Sequence, residues 1–296
     1  MWRIIDISGD NYRFVFSQNN FVAVKDGEER LRAHLSDINC IIVHSYSVSY
    51  SGVLLQKLLE YNVPLVLCDR FHNPCGILLA NFLHSEYGNR INAQINASLP
   101  LRKKAWKNIV AAKILNQAGV LSLMGRKDAC SQLQEYADDV KSGDATNREG
   151  AAARIYFPSL FDNFKRDKNS EDIINSSLNY AYAILRSNTA RAIVGSGLNP
   201  ALGIFHSHKQ NPLCLVDDLM EPLRPFADLY VKNNVSELRD KKFLDSETKN
   251  LLSGIIKKSF KIGKEKYSVL AGTQKYVQSY ISFLMRNSSK IEIPRV

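Results

Sequence analysis

At 296 residues the chain suits one large domain or two ordinary ones, and a hydrophobic content of 45% is that of a globular protein. Its 39 Lys and Arg against 29 Asp and Glu give a net charge of +10 and a pI near 9.3, which favours a polyanionic partner and binding that weakens with salt. No run reaches the roughly 18 apolar residues of a membrane span, the opening Met1-Trp2-Arg3-Ile4-Ile5-Asp6 turns acidic too soon for a signal peptide, and Cys40, Cys68, Cys75, Cys130 and Cys214 show no Cys-x-x-Cys spacing, which argues against a disulfide frame or a zinc ribbon. The expectation is a cytoplasmic chain with no membrane segment and buried free thiols.

The N-terminal part reads as strands. Trp2 to Ser8, Tyr12 to Ser17, Phe21 to Lys25 and Leu31 to Leu35 are short, rich in β-branched and aromatic residues, and separated by turns such as Ser8-Gly9-Asp10-Asn11 and Asp26-Gly27. Ile38 to His44 is a near-continuous apolar run, the pattern of a strand buried on both faces. Gly52 to Tyr61 has helical spacing and stops at Asn62-Val63-Pro64; Val63 to Asp69 and Gly76 to Ala80 are strand-like again. His34, His44, His72 and His84 have no second ligand at metal spacing and read as structural or surface residues, while Arg70 is either solvated or a DNA contact.

From Asn81 to Pro100 the apolar pattern breaks up around Tyr87-Gly88-Asn89-Arg90, which marks a boundary. Beyond it helices dominate. Leu101 to Leu115 places Trp106, Ile109, Val110, Lys113 and Ile114 on one face; Asp128 to Lys141 is a second helix, and the segment carrying Glu149 a third. After a charged loop, Asp162 to Asn169, a long helix spans Ile173 to Val194 and closes at Gly195-Ser196-Gly197. The turn Leu198 to Gly203 delivers His206, and Asp217 to Asn233 is a helix disturbed by Pro222 and Pro225. Ser246 to Phe260 and Gln274 to Arg286 are the last helices, before an extended tail, Ile291 to Val296. The fold class is therefore α+β: a small β-rich, β-sandwich-like domain with one helix (1–84), a linker (85–100) and a larger all-α domain (101–296).

Three stretches carry acids and imidazoles: Thr146 to Phe157, Gly203 to His206, and Asp217 to Pro225. Glu149, His206 and Glu221 are 57 and 15 residues apart, so only folding brings them together. Two carboxylates and an imidazole suit Mg²⁺ or Mn²⁺ better than structural zinc, which recruits thiolates. Arg148, Arg154 and Arg224 lie within a few residues of these positions, as phosphate-gripping side chains would. A plainer account is open as well: Thr146-x-x-Glu149 and Asp218-x-x-Glu221 both have the spacing of a helix capping box. His208 rivals His206, although on a helix the two would point about 200° apart. No Gly-x-x-x-x-Gly-Lys-Ser/Thr loop for ATP is present.

Asn147-Arg148-Glu149-Gly150 leading into Ala152-Ala153-Arg154-Ile155-Tyr156-Phe157, then Gly203 with His206, then Asp218-Leu219-Met220-Glu221-Pro222-Leu223-Arg224-Pro225 with Asp228, resemble the CRISPR-associated spacer integrase, the first universal protein of CRISPR adaptation, in its type II branch. The likeness extends over the whole chain; Leu223 stands where many relatives have Phe. The resemblance implies Glu149, His206 and Glu221 as catalytic ligands of Mg²⁺ or Mn²⁺. Asp218 is a possible nearby acid, since relatives differ in which acid of the Asp217, Asp218 and Glu221 stretch binds the ion. It implies DNA endonuclease and strand-transfer activity, in which the 3′-hydroxyl of a short fragment attacks a phosphodiester at a repeat edge. It also implies a homodimer joined through the β-rich domain, a heterohexamer with the second CRISPR adaptation protein, double-stranded DNA as substrate and the RNA-guided effector as a further candidate partner. Two other classes stay open: a metal-dependent nuclease acting on branched or single-stranded DNA, and a non-catalytic DNA-binding scaffold.

Overall fold

A computed structural model describes residues 3–45, 47–69, 74–80, 84–162 and 164–296. It divides into two compact units, Met1–Tyr87 and Gly88–Val296.

The first unit holds β1 (Arg3–Ile7), β2 (Tyr12–Ser17), β3 (Asn20–Lys25), β4 (Glu28–His34), β5 (Ile38–Val43), β6 (Val48–Tyr50), α1 (Gly52–Glu60), β7 (Leu65–Cys68) and β8 (Pro74–Leu78). Two hairpins are set by two-residue turns in which both central residues have positive φ: Gln18 and Asn19 at 49° and 62°, Asp26 and Gly27 at 54° and 81°. Such turns match the right-handed twist of the strands they join. The strands form two four-stranded sheets, ordered β4-β3-β2-β6 and β1-β5-β7-β8. In the second sheet β1 and β7 run parallel to β5, which is buried along its whole length, as its unbroken apolar run predicts. Both sheets and α1 feed one core, built around Phe14, Phe21, Leu35, Ile38, Ile41, Leu54 and Leu58. The short parallel strand β6 was not expected, although Ser47-Val48-Ser49-Tyr50-Ser51 alternates polar and apolar residues with the period of a strand.

The histidines of this unit have ordinary partners. His34 caps the turn at Leu35–Asp37, His44 pairs with Asp6, and His84 accepts the Glu86 amide; His72 and Arg70 lie outside the described residues. All five cysteines are free, and Cys75 is exposed rather than buried as expected, because β8 sits at the edge of its sheet.

The stretch expected as a linker, 85–100, is mostly helical: α2 covers Tyr87–Ile95, and α3 starts at Leu99. Gly and Asn, at Gly88, Asn89 and Asn92, are poor helix formers, but Arg90 donates to the Ser196 carbonyl and Gln94 accepts the Asn199 amide at 2.8 Å, so tertiary hydrogen bonds hold what propensity does not. α3 (Leu99–Leu123) is the spine of the second unit. Ser98 caps it, Pro100 occupies its first turn, and its buried residues include Trp106, Ile109, Val110, Lys113, Asn116 and Gln117. Around it pack α4 (Lys127–Asp138), α5 (Arg148–Leu160), α7 (Cys214–Met220) and α8 (Arg224–Asn233), with α6 (Ile173–Gly195) crossing behind α7 and α8.

Pro222 and Pro225 do not sit inside a helix, as expected, but at the starts of two successive pieces. α7 ends at Met220, a tight turn covers Glu221–Leu223, and α8 begins at Arg224. Proline is tolerated there because first-turn amides have no helical partner. Asn116 of α3 accepts the consequence, donating to the Pro222 carbonyl at 2.8 Å. Beyond the short α9 (Val235–Leu238), the helix expected over Ser246 to Phe260 ends early: α10 covers only Ser246–Ser253, and Ser259–Ile262 (β9) pairs with Glu265–Ser268 (β10). The second unit is therefore helical with one small hairpin rather than all-α. Gly263, at a φ of 61°, turns that hairpin, a residue the helical reading had not weighed. α11 (Val269–Leu284) follows, and the tail returns to pair Arg295 with Lys261. Among the described residues no helix is long and apolar enough to cross a membrane.

Candidate functional site

Glu149 enters the site because something else caps its helix. α5 begins at Arg148, with Asn147 as N-cap in the left-handed region at a φ of 49° and accepting the Gly150 amide at 3.2 Å. Asp144 takes the next two orphan donors, the Arg148 and Glu149 amides, at 2.8 and 3.2 Å. Thr146 is not the cap, so the capping-box account of Glu149 does not hold, and its carboxylate is left to turn towards α3.

There it meets Lys113. The ammonium lies 2.5 Å from Glu149 Oε1 and 2.5 Å from Glu221 Oε2, so one buried cation joins two carboxylates from distant stretches of chain. Arg224 closes the other side of Glu221, Nε to Oε1 at 2.9 Å. Burial works to raise the Glu221 carboxyl, but the Arg224 guanidinium and the Lys113 ammonium outweigh it and hold it down at about 2. For Lys113 burial disfavours the charge, and the two glutamates overcome that and push it above its usual value.

The acids of the third stretch divide their tasks. Asp217 is held by Arg186 at 2.7 and 3.0 Å and by Asn211 at 2.7 Å. Asp218 is fully buried inside α7, so it caps no helix start. Its carboxylate instead reaches back to the preceding loop and accepts the Ile204, Phe205 and His206 amides at 2.5, 2.9 and 3.3 Å, and His206 Nδ1 at 2.5 Å. The acceptor-only carboxylate puts a proton on Nδ1, which leaves Nε2 as the free nitrogen of the neutral ring. That hydrogen bond is the main cause of a raised His206 pKa, burial opposing it and Glu221 and Glu149 adding to it. Gly203 makes the loop possible: a Cβ there would lie 2.2 Å from the His206 carbonyl oxygen and 2.9 Å from Cys214 Cβ. His208 is exposed and accepts the Gln210 amide, so it does not rival His206.

The fold thus joins Glu149 and Glu221 and sets His206 at the rim, within electrostatic reach of both. Among the described residues no three His, Cys, Asp or Glu lie together closely enough to form a metal cluster as they stand, because Lys113 takes the place between the carboxylates. Of the arginines expected to grip phosphate, Arg148 is held by Asp139 at 2.7 Å and lies over Tyr136, Arg224 is held by Glu221, and Arg154 is exposed with no ion pair among the described residues.

Sequence reasoning gave no role to four participants, Lys113, Arg166, Tyr182 and Asp228. Beside Glu221 a cavity of about 170 Å³ is lined by Lys113, Arg166, Tyr182, Arg224 and Asp228, among others. The Arg224 and Arg166 guanidinium groups lie 4.7 and 5.4 Å from the centre of the Tyr182 ring, and the Tyr182 hydroxyl donates to Asp228. Burial pushes Asp228 up to about 6, against that hydrogen bond. Lys113 did leave a signal, a lysine on the buried stripe of α3; Arg166, in a charged loop, left none.

A β-rich unit followed by a basic helical unit that draws two acids onto one cation beside an acid-anchored histidine defines a narrow class of protein. The model of the CRISPR associated protein Cas1 family matches residues 7–261, and the chain belongs to that family. It is 35% identical over 280 residues to the CRISPR-associated endonuclease Cas1 of Neisseria meningitidis serogroup C (strain 8013), covering 94% of this chain and 92% of that protein. The same fold occurs in a casposase bound to integration product, with a TM-score of 0.81 at 19% identity over 98% of this chain and 92% of that one. It occurs again in a Cas6-RT-Cas1–Cas2 complex, with a TM-score of 0.77 at 18% identity over 98% of this chain and 36% of that one.

Proposed function

We propose that this chain is a divalent-metal-dependent DNA integrase of CRISPR adaptation, joining the 3′-hydroxyl ends of short foreign fragments to the edges of a repeat by transesterification. The observation that carries the reading is the convergence of Glu149 and Glu221 on one cation, with His206 beside them. The donor set fits Mg²⁺ or Mn²⁺: hard carboxylate oxygens already gathered around positive charge, and an imidazole whose other nitrogen is fixed by a carboxylate. When bound, such an ion polarises the phosphate and offsets charge on the attacking or leaving oxygen. Glu149, His206 and Glu221 would hold it. Asp218 orients His206, and Arg224 keeps Glu221 ionised.

Lys113, Arg166 and Arg224 line the neighbouring cavity and supply positive charge where a phosphate would lie. The bond broken and the bond formed are both phosphodiesters, so no nucleotide cofactor is required. The basic balance of the chain suits double-stranded DNA. The likeness to the Neisseria meningitidis protein supports the type II branch, and the Cas6-RT-Cas1–Cas2 complex supports a second adaptation protein as partner. A homodimer through the β-rich unit, a heterohexamer with that partner, the RNA-guided effector as a further contact and a cytoplasmic setting complete the proposal.

Glu149→Gln tests it. Glutamine preserves shape but ligates a hard cation poorly. The variant should fold and bind DNA, yet lose Mn²⁺-dependent joining of a labelled fragment to a repeat-containing duplex; joining at the wild-type level would end the metal assignment. A second reading, metal-dependent cleavage of branched or single-stranded DNA, is favoured by the endonuclease named in the Neisseria meningitidis relative. It would yield cut but never joined products.

A further inference from the structure

The loop that carries His206 also presents an aromatic ring with one covered face and one open face. Phe205 is 52% exposed, whereas Trp106 of α3, on which it lies, is 1% exposed. The two rings are parallel, with centroids 4.5 Å apart and planes 3° apart, so Trp106 covers one side of Phe205 and the opposite side faces outward. The His206 imidazole meets the Phe205 ring edge-on, 5.7 Å between centroids at 85°.

The backbone under this ring is fixed. The Phe205 amide donates to Asp218 at 2.9 Å, and Arg102 Nε of α3 donates to the Ile204 carbonyl at 2.9 Å. The ring is therefore pre-organised. Two phenylalanines among the described residues are more than half exposed, Phe205 and Phe243, and only Phe205 adjoins the candidate site. The exposed residues that follow it on the loop and flank Trp106 along α3 are polar and basic: His208, Lys209 and Gln210, and Lys103 and Lys107. A single flat ring among cations offers one π-face and counter-charge, and no apolar groove for a peptide.

We propose that the open face of Phe205 is a stacking platform for one nucleobase, that of the nucleotide next to the phosphate addressed by Glu149, His206 and Glu221. The proposal rests on the DNA-joining reading above and adds a subsite to it. Every base has a π-face, so such a platform accepts any of the four and reads no sequence. The exposed lysines neutralise the sugar-phosphate that carries the base. Taking one base from the duplex stack splays the strand at the reacting phosphate, and the packing of Phe205 on Trp106 ties that base to the imidazole one residue on.

The test uses the full chain, Mn²⁺ and a branched duplex with 2-aminopurine either at the base next to the joining phosphate or several nucleotides away. Binding should change the fluorescence at the first position and not at the second. Phe205→Tyr keeps the π-face and should keep that change. Phe205→Leu keeps apolar contact with Trp106 but has no π-face, and should lose the change while its melting temperature stays near that of the wild type. Affinity for the branched duplex should fall about five- to 150-fold in Phe205→Leu, the span of one base–aromatic stack. Equal fluorescence changes in wild type and Phe205→Leu, with both still joining DNA, would overturn the platform and leave strand transfer standing. A wild-type protein that neither binds nor joins the DNA overturns both.

Discussion

Lys113→Met isolates the charge at the centre of the site. Methionine keeps an unbranched side chain on α3 and removes the ammonium that touches both Glu149 and Glu221. With their shared cation gone, the two carboxylates face each other, and Glu221 is 6% exposed, so water replaces little of what was lost. Breaking a buried ion pair from one side costs about 3–5 kcal/mol; one carboxylate taking up a proton limits the loss to the lower part of that range. At about 2–4 °C per kcal/mol for a unit of this size, thermal unfolding without metal should fall by about 6–12 °C. Saturating Mn²⁺ should then raise the variant more than the wild type, because the ion no longer competes with an ammonium; at a hundred times Kd the stabilisation is about 2.7 kcal/mol. Circular dichroism melts of both proteins, with and without MnCl₂, measure the four values. A variant that melts with the wild type in the absence of metal, or equal Mn²⁺ shifts in the two proteins, would refute the account of Lys113 as the resident counter-ion.

Three further outcomes follow from the same geometry. The folded pKa of Glu221, about 2, lies below the usual 4.5, so its ionisation stabilises the fold above pH 4.5, and that stabilisation is lost as pH falls towards 2. Urea midpoints at pH 6 and pH 3 should therefore drop further in the wild type than in Glu221→Gln, and parallel drops would contradict this. Asp218→Asn removes the main cause of the raised His206 pKa, so an NMR titration of the His206 ring should move its midpoint to lower pH; an unmoved midpoint would place the cause elsewhere. Gly203→Ala forces a Cβ to 2.2 Å from a backbone oxygen, and should lower the melting temperature and abolish joining, whereas Gly119→Ala, whose Cβ meets only Val296 at 3.3 Å, should do far less.

Much of the fold was legible where a single physical rule decides it. The unbroken apolar run of β5 and the turn at Asp26-Gly27 each follow from residue type alone. The misread segments were those where tertiary contacts override local preference. Arg90 and Gln94 hold a helix that composition argues against, and Ser259 and Phe260, where apolar spacing suggests the end of a helix, instead open the hairpin that Gly263 turns. Glu149 and Glu221 were legible as acids that converge, and Asp218 was legible as an acid near them, but not as the anchor of His206. That role depends on three backbone amides turning inward, which Gly203 permits and no side-chain pattern reports.

Lys113 shows where more could have been read. A helix face that carries Trp106, Ile109, Val110 and Ile114 is bound for the core, and the aliphatic stem of a lysine can share that face while its ammonium snorkels to water. At Lys113 the spine helix is covered by α5, by α8 and by the tight turn between α7 and α8, so the ammonium is buried with the stem and opens only onto the small cavity beside Glu221. A buried ammonium needs compensating anions. A lysine on a central apolar stripe therefore implies carboxylates arriving from other elements, and α5 and the turn after α7 are the elements that deliver Glu149 and Glu221. The acids alone also fitted two helix caps; the lysine that faces them does not, and it turns two ambiguous sequence patterns into one site.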